Sequence, residues 1–482
     1  MDKADKFLKT LTDQVNFPSL ETIYTPSSEQ GYIAECSRGK ITLRAKNSPE
    51  LIQGVCQSYS LWKSGFISEL NQKHTPIFTL RPFCLEKSPL IIEFLDAAAP
   101  DIQNRIDVLC ENILALGCNA LWVSDWDKEQ LQLPEEVLQR LSITSQDYGL
   151  SFGSARNNEI VMDHVIHFAK EWETPLSREL NDRGISKLDS ILEDAEQRAS
   201  DLKPKQKLVL VYPKIHSEIS FWEKLLAKLP PQCLIGFLCQ DAAAFLKLCR
   251  GLGERYRGML IPIIPTAGCG GGLWPHLYVE GIDEIFSSPL LPVWHTIAFS
   301  GTYLPPQGTL YHCLLWSLAQ RVWKPGHSLS QWVRQWFSTY NPSLDFDQMY
   351  PHLMALTALS YDVKSFYGAG QQADYDKQKS FIEMSLSKIK YLNTIPWPAE
   401  VSSAVCHCLT DLRRMLLQHL LNGQISLPQI VDEQDLKGGY WTTMHGSPGQ
   451  AVRSGVTIRF LDIPQNYSKE DVHWWNSSIF LS

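Results

Sequence analysis

Apolar and polar positions follow different periods in different parts of this chain, and the changes of period divide it. Near the N-terminus, GYIAECSRG and KITLRAKN alternate with a period close to two, which predicts a pair of strands joined near Ser37-Arg38-Gly39. Ser48-Pro49-Glu50 then opens a helix, with Ser48 as cap and Pro49 in the first turn. Leu51, Ile52, Val55, Tyr59 and Trp62 recur at helical spacing and Gly65 ends it. The stretch NQKHTP (71–76) reads as a linker.

Beyond it, short apolar runs alternate with amphipathic stretches. PIFTLRPFC (76–84), NALWVSDWD (119–127), YGLSFGSARN (148–157), KLVLVYPK (207–214), CLIGFLCQD (233–241), MLIPIIPTAG (259–268), IDEIFSS (282–288) and HTIAFSG (295–301) read as buried strands. DIQNRIDVLCENILALG (101–117), PEEVLQRLSIT, IVMDHVIHFAKEW, SKLDSILEDAEQRASDL (186–202), FWEKLLAKL and AAAFLKLCRGLG read as helices, the first stopped by Gly117. Eight strand candidates over about 225 residues, alternating with helices, predict a (β/α)8-type barrel from Phe78 to Gly301. With IVMDHVIHFAKEW read as helix, the stretch from Trp172 to Lys187 offers no strand. The fourth strand is therefore expected to be short, irregular or degenerate.

After Gly301 the period returns to 3.6. LYHCLLWSLAQRVWKPG, SLSQWVRQWFSTY, QMYPHLMALTALSYDVKSFYG, QQADYDKQKSFIEMSLSKIKYL and AVCHCLTDLRRMLLQHLLNG predict consecutive helices. A tail from Gly438, with SGVTIRFLDI and VHWWNSSIFLS, predicts a strand or two. The resulting division is an α/β unit over 1–75, a barrel over 76–303 and a mainly helical part with a short β tail over 304–482.

Composition narrows the partners. A net charge of -8 with no long basic run argues against nucleic acid and anionic membrane. The N-terminal stretch carries charge throughout and has no apolar core, so no secretory signal is expected, and no window is long and apolar enough to span a membrane. The twelve cysteines follow no pattern and read as reduced thiols, which suits the cytoplasm. Cys406 and Cys408 flank His407 as a metal motif would, but on a helix positions i and i+2 diverge, so no metal is expected. Fifteen tryptophans are numerous for the length; a Trp ring can cover the apolar face of a sugar, although most are expected to pack the core.

Three stretches carry a resemblance. NSPELIQGVCQSYSLWKSG (47–65), RIDVLCENILALGCNALWVSDWD (105–127) and LLWSLAQRVWKPGHSLSQWVRQWF (314–337), in that order, resemble the accessory-domain helix, an early barrel segment and the helices after the barrel of the alpha-glucuronidases and related exo-acting glycoside hydrolases. The resemblance implies a carbohydrate ligand and an acid Glu at the end of the fourth strand. It also implies paired carboxylates near the sixth. The chain departs from both: Glu171, Glu173 and Glu179 lack a matching context, and CLIGFLCQDAAAF keeps only Asp241.

Barrel enzymes place their chemistry at the C-terminal ends of strands. Asp125 and Asp127 follow one apolar run, Arg156 and Asn157 another, His216 and Glu218 a third, and Asp241 a fourth. A glycosidase needs two carboxyl groups, one to protonate the leaving oxygen and one to act as nucleophile or base, so Asp125, Asp127, Glu218 and Asp241 are the catalytic candidates. Desolvation against Trp126 would raise the pKa of one of them and make it the acid. Asp241 precedes AAAFLKL and also reads as a helix cap. The loop AGCGGGLWPH (267–276) lacks the Lys-Ser/Thr of a P-loop and the spacing of a dinucleotide fingerprint, so no cofactor is expected. That loop offers Trp274 and His276 to a ligand, while Trp294, His295 and Tyr303 are further wall candidates together with Trp126, Arg156, Asn157 and His216. Neither GxSxG nor HExxH occurs. Two readings stand: an active glycoside hydrolase, or a glycosidase-like barrel that has lost its chemistry and serves as a carbohydrate-binding or interaction module. An unrelated barrel isomerase or lyase comes third. The oligomeric state is open, a homodimer being compatible with the sequence.

Overall fold

The computed structural model describes residues 3–14, 19–26, 30–63, 70–85, 95–123, 133–155, 160–168, 187–212, 215, 219–239, 242–267, 282–287, 295–301, 310–324, 326–368, 375–397 and scattered positions between 402 and 416. The N-terminal unit holds helix α1 (Lys3–Gln14), strands β1 (Leu20–Tyr24), β2 (Tyr32–Ser37) and β3 (Lys40–Ala45), helix α2 (Ser48–Lys63) and strand β4 (Gln72–His74). The sheet order is β1-β3-β2-β4. The turn between β2 and β3 puts Arg38 and Gly39 at positive φ (49° and 77°), the two-residue geometry that matches the twist of paired strands. Tyr32 and Ala34 are buried against the helices, while Glu35 and its ion-pair partner Arg44 lie on the open face. The segment expected to be a linker instead supplies β4, which pairs antiparallel with β2 through Tyr32 and His74. Three residues with little apolar content are too short to show a period.

The cap of α2 is one residue earlier than expected. Asn47 Oδ1 accepts the Glu50 backbone N–H at 3.0 Å, and the Ser48 hydroxyl turns to Tyr24 and Asp5 instead. Helix α2 buries polar as well as apolar positions, Gln53, Gln57, Ser58 and Ser60 among them. That burial fits a helix covered on both sides, by the sheet and by the barrel.

The barrel strands are β5 (Pro82–Leu85), β6 (Ala120–Val123), β7 (Ser151–Ser154), β8 (His164–Phe168), β9 (Lys207–Tyr212), β10 (Cys233–Leu238), β11 (Leu260–Ala267) and β12 (Ala298–Gly301). All are parallel, and β12 pairs with β5 to close the ring. The outer helices are α3 (Ile102–Ala115), α4 (Glu135–Asp147), α5 (Lys187–Ser200), α6 (Ile219–Lys228), α7 (Ala242–Gly251), the single turn α8 (Glu254–Arg257) and α9 (Ile282–Ser287). Gly117, at φ 90°, stops α3 as expected: Cys118 N–H reaches Ile113 O at 3.1 Å, and Gly117 N–H reaches Leu114 O at 2.9 Å.

One of the eight expected strands and one of the expected helices change places. The segment read as the helix IVMDHVIHFAKEW contains β8, the fourth barrel strand, which pairs with β9 over its whole length. A strand buried on both faces is a continuous apolar run, and Ile160, Met162, Val165 and Ile166 mimic a helical stripe. Conversely, IDEIFSS is helix α9, its Ile282, Ile285 and Phe286 buried at i, i+3, i+4 spacing. The expected total of eight was right because the two misreadings cancel.

Helices α10 (Leu310–Arg321), α11 (Leu329–Tyr340), α12 (Phe346–Gly368) and α13 (Tyr375–Asn393) follow. Ser328 and Gln331 form a reciprocal capping box at the start of α11. Arg321 pairs with Asp283 of α9, whose carboxylate also accepts Leu329 N–H at 2.9 Å, fastening the barrel to these helices. At their junction lies Arg81, just before β5. Its guanidinium donates to Gly117 O (2.8 Å), Phe78 O (2.7 Å) and Gln53 Oε1 (3.4 Å) and lies 5.2 Å over the Trp323 ring. Burial lowers its pKa to about 10, leaving it charged at neutral pH. The tail from Gly438 lies outside the described residues.

Candidate functional site at the barrel mouth

Side chains inside the ring form their own cluster, separate from the layer between strands and helices. Cys84, Trp122, Ile166, Val209, Val211, Ile261, Ile263 and Ala298 pack together in the lumen. This is the filled interior expected of an eight-stranded barrel, and none of the residues of the eight barrel strands is Asp or Glu. The candidate residues of the sequence fall instead in the segments that follow the strands in the chain.

Those segments carry most of the expected residues. Asp125, Trp126 and Asp127 follow the end of β6 at Val123; Arg156 and Asn157 follow β7; His216 and Glu218 follow β9; Asp241 follows β10; Trp274 and His276 follow β11; Tyr303 follows β12. All of these, and Trp294, lie outside the described residues. His295 is described, and it stands at the other end. It precedes β12, is exposed, and its carbonyl accepts Leu80 N–H (3.0 Å) and the Thr79 hydroxyl (2.9 Å). The expectation that it walls the mouth is corrected: the chain direction of β12 puts it on the N-terminal face.

The relocated fourth strand changes one reading. β8 ends at Phe168, and the sequence continues Ala169-Lys170-Glu171-Trp172-Glu173, outside the described residues. Glu171 thus follows the fourth strand in the chain. The signal that could have found it was the short, mostly apolar run IVMDHVIHF, ambiguous between helix and strand at that length.

The tryptophans divide. Trp122, Trp222, Trp316, Trp323, Trp332 and Trp336 are buried, and Trp62 and Trp397 are half-buried, so every described Trp is packing. Any sugar platform must come from the others. Cys406 and Cys408 lie on a helical stretch, one exposed and one buried, so they do not face a common point.

Beneath the mouth, the lumen contains a polar pair. Trp122 is fully buried and His164 is 8 % exposed; their rings lie 5.3 Å apart, tilted by 47°. Gly153, between them on β7, leaves room for the indole, since a Cβ there would stand 2.6 Å from Trp122 Cδ1. Burial lowers the His164 pKa to about 4, so the imidazole is neutral near pH 7. Neither Trp122 Nε1 nor His164 Nδ1 has a hydrogen-bond partner among the described residues. Leaving such groups dry costs about 1–3 kcal/mol each, whereas holding one bridging water costs at most about 2 kcal/mol of entropy.

No protein-family model matches the chain, and no curated protein matches its sequence. Among solved structures, a GH20 β-N-acetylhexosaminidase from Streptomyces coelicolor A3(2) is 11% identical with a TM-score of 0.40, covering 70% of this chain and 90% of that one. A GH138 enzyme targeting pectin rhamnogalacturonan II is 10% identical with a TM-score of 0.42, covering 88% of this chain and 86% of its own. An O-GlcNAc hydrolase from Thermobaculum terrenum is 13% identical with a TM-score of 0.40, covering 73% and 99%. Likenesses this distant carry no functional argument; the barrel assignment rests on this chain's own strand pairing.

Proposed function

We propose that the protein is glycoside-hydrolase-like and acts on a carbohydrate at the C-terminal mouth of the barrel through a carboxylate pair, Asp125 or Asp127 with Glu218 or Asp241. The observation that carries this reading is the closed parallel ring itself. β6 and β10 stand four places apart in an eight-membered ring, so the segments bearing Asp125, Asp127 and Asp241 leave from opposite walls. Strands about 4.8 Å apart and tilted by about 36° close a ring of roughly 15 Å between backbones. Two carboxylate side chains reaching inward from opposite walls would close that gap towards the separations of about 5–10 Å that glycosidases use. Glu171, just after the fourth strand, joins them as an acid candidate. The sugar contacts in this reading are Trp126, Arg156, Asn157, His216, Trp274, His276 and Tyr303, and an alpha-glucuronidase-like preference follows from the sequence resemblance alone.

The second reading, an inactive barrel that binds sugar or a partner, draws on the sequence's departure from the resemblance, CLIGFLCQDAAAF keeping only Asp241 where paired carboxylates are implied. One experiment separates them. A panel of nitrophenyl glycosides, with a glucuronide included, should show turnover that drops about 10²–10⁴-fold in Asp125→Asn, Asp127→Asn, Glu171→Gln, Glu218→Gln or Asp241→Asn. A flat panel with measurable sugar binding leaves the second reading standing. A flat panel without binding removes both. The reading takes the cytoplasm as the compartment; no helix among the described residues is long and apolar enough to cross a membrane, and the described cysteines form no disulfide.

A further inference from the structure

The contact between the N-terminal unit and the barrel holds a titratable cluster that the mouth does not use. Helix α1 bridges the two. Its Asp5 carboxylate accepts the Tyr24 hydroxyl at 2.8 Å and also that of Ser48, which ties it to the sheet and to α2. Two residues earlier, Lys3 Nζ reaches across to Asp107 Oδ1 of α3 at 2.6 Å and lies 5.9 Å over the ring of Tyr148, in the turn after α4. Tyr148 is buried and donates its hydroxyl to Glu111 Oε1 at 2.9 Å, one turn along α3 from Asp107. The next residue, Gly149, stands at φ 71°, and a Cβ there would lie 2.9 Å from Pro49 Cγ in the first turn of α2. The N-terminal unit thus grips this part of the barrel through Lys3 and through Pro49.

Among the described residues, the titratable groups around Glu111 are Lys3 from α1, Asp107 and Cys110 from its own helix, and Tyr148 from beyond α4. Burial pushes the Cys110 thiol up to about 12 and holds the Tyr148 proton as well, so neither changes charge near neutrality. Glu111 does, because burial lifts its carboxyl to about 7; Asp107 adds to the rise, while Tyr148 and Lys3 oppose it. Loss of that proton puts a second negative charge at i,i+4 from Asp107, in a half-buried place. Lifting Lys3 off α3 rehydrates the carboxylate without disturbing any barrel strand.

We propose that the first turn of α1 is a proton-operated latch joining the N-terminal unit to the barrel, closed over Glu111 while that carboxyl is neutral and loosened once it is charged. The latch does not depend on the carboxylate reading of the mouth. Its closed state is fully stabilised below about 4.5 and loses that stability as pH rises through 7. Full hydration of the carboxylate on opening raises the open population by up to about 10²-fold from pH 4.5 to pH 8.

The test uses the full chain. The Phe7 and Leu8 amides of α1 bond back to its first turn, so their hydrogen exchange reports the latch. Corrected for the intrinsic pH dependence, their protection should fall by up to about 10²-fold over that range, and the 13C titration of the Glu111 carboxyl should share the midpoint. Glu111→Gln should flatten the exchange profile. Lys3→Met should loosen α1 at every pH and carry the Glu111 midpoint upward, since the ammonium favours the charged carboxyl. Protection that ignores pH overturns the proposal, as does a slope that survives Glu111→Gln or a midpoint untouched by Lys3→Met. Equal protection in α1 and at Trp336 of α11 overturns it too, because only whole-molecule unfolding would then expose Glu111. The parent exchange profile and titration need no variant, so a mutant that fails to fold leaves both readouts standing.

Discussion

Two buried Trp–His pairs occupy different parts of this molecule and are wired differently. In the helical part, Trp336 and His312 are joined directly, and burial brings the imidazole pKa down to about 3. In the barrel, Trp122 and His164 lie on either side of Gly153, Trp122 Nε1 and His164 Nδ1 have no hydrogen-bond partner among the described residues, and burial brings that imidazole to about 4. Packed helices can slide until two side chains meet. Barrel strands are locked by their neighbours on both sides, so their side chains take whatever spacing the ring imposes. A rigid frame can leave apart polar groups that a looser one pairs.

The largest effect should come from acid. Both histidines have folded pKa values below the ordinary 6.5, so their contribution to stability is complete above that pH. It is lost as pH falls towards 4 for His164 and towards 3 for His312. Each group should cost about 1.4 kcal/mol per pH unit over its window, or roughly 3 kcal/mol apiece by pH 4. Urea unfolding between pH 7 and 4 measures it; His312→Gln and His164→Gln should each make the pH slope shallower, and an unchanged slope in either would remove that histidine from the account.

Glu111 on α3 supplies the opposite sign. Burial raises its pKa to about 7, with Tyr148 Oη donating to it at 2.9 Å and Asp107 and Lys3 close by. Its contribution is present below about 4.5 and lost as pH rises through 7. Glu111→Gln should therefore stabilise the protein at pH 8 by about 2–3 kcal/mol and steepen the net loss in acid; a variant less stable than the parent at pH 8 contradicts this.

Gly153→Ala presses a methyl into the barrel indole and should cost about 1–3 kcal/mol, with altered Trp122 fluorescence as the companion signal. Wild-type stability in this variant would mean that the indole moves aside freely. Smallest is the contrast between the pairs themselves. Trp336→Phe orphans an acceptor already bonded, whereas Trp122→Phe removes an N–H with no protein partner. The first should cost about 1 kcal/mol more than the second, and equal losses would erase the distinction.

How far the sequence could be read follows from these same residues. The barrel was legible because its strands are buried on both faces and its helices on one, and Gly117 announced the end of α3 because glycine takes positive φ without strain. β8 was not, since Val165 and Ile166 sit in a run that a helix and a buried strand would write alike. β4 escaped because three residues carry no period. The lumen pair was invisible for another reason: Trp122, Gly153 and His164 are neighbours only across strands, and nothing local links them. At the mouth, the sequence supplied carboxylate candidates in number, but which of them come together depends on where loops bring side chains, which periodicity does not encode.

Arg81 carries a consequence of a different order. Its one guanidinium is shared by a helix of the N-terminal unit, a loop of the barrel and an indole of the C-terminal helices. A cation held that way has no solvent to retreat to when one neighbour departs. Cutting the chain near residue 75 should therefore not release a free-standing barrel, and thermal melting of the whole should register one transition where three segments would otherwise give several. The parts are successive along the chain, yet they come apart together.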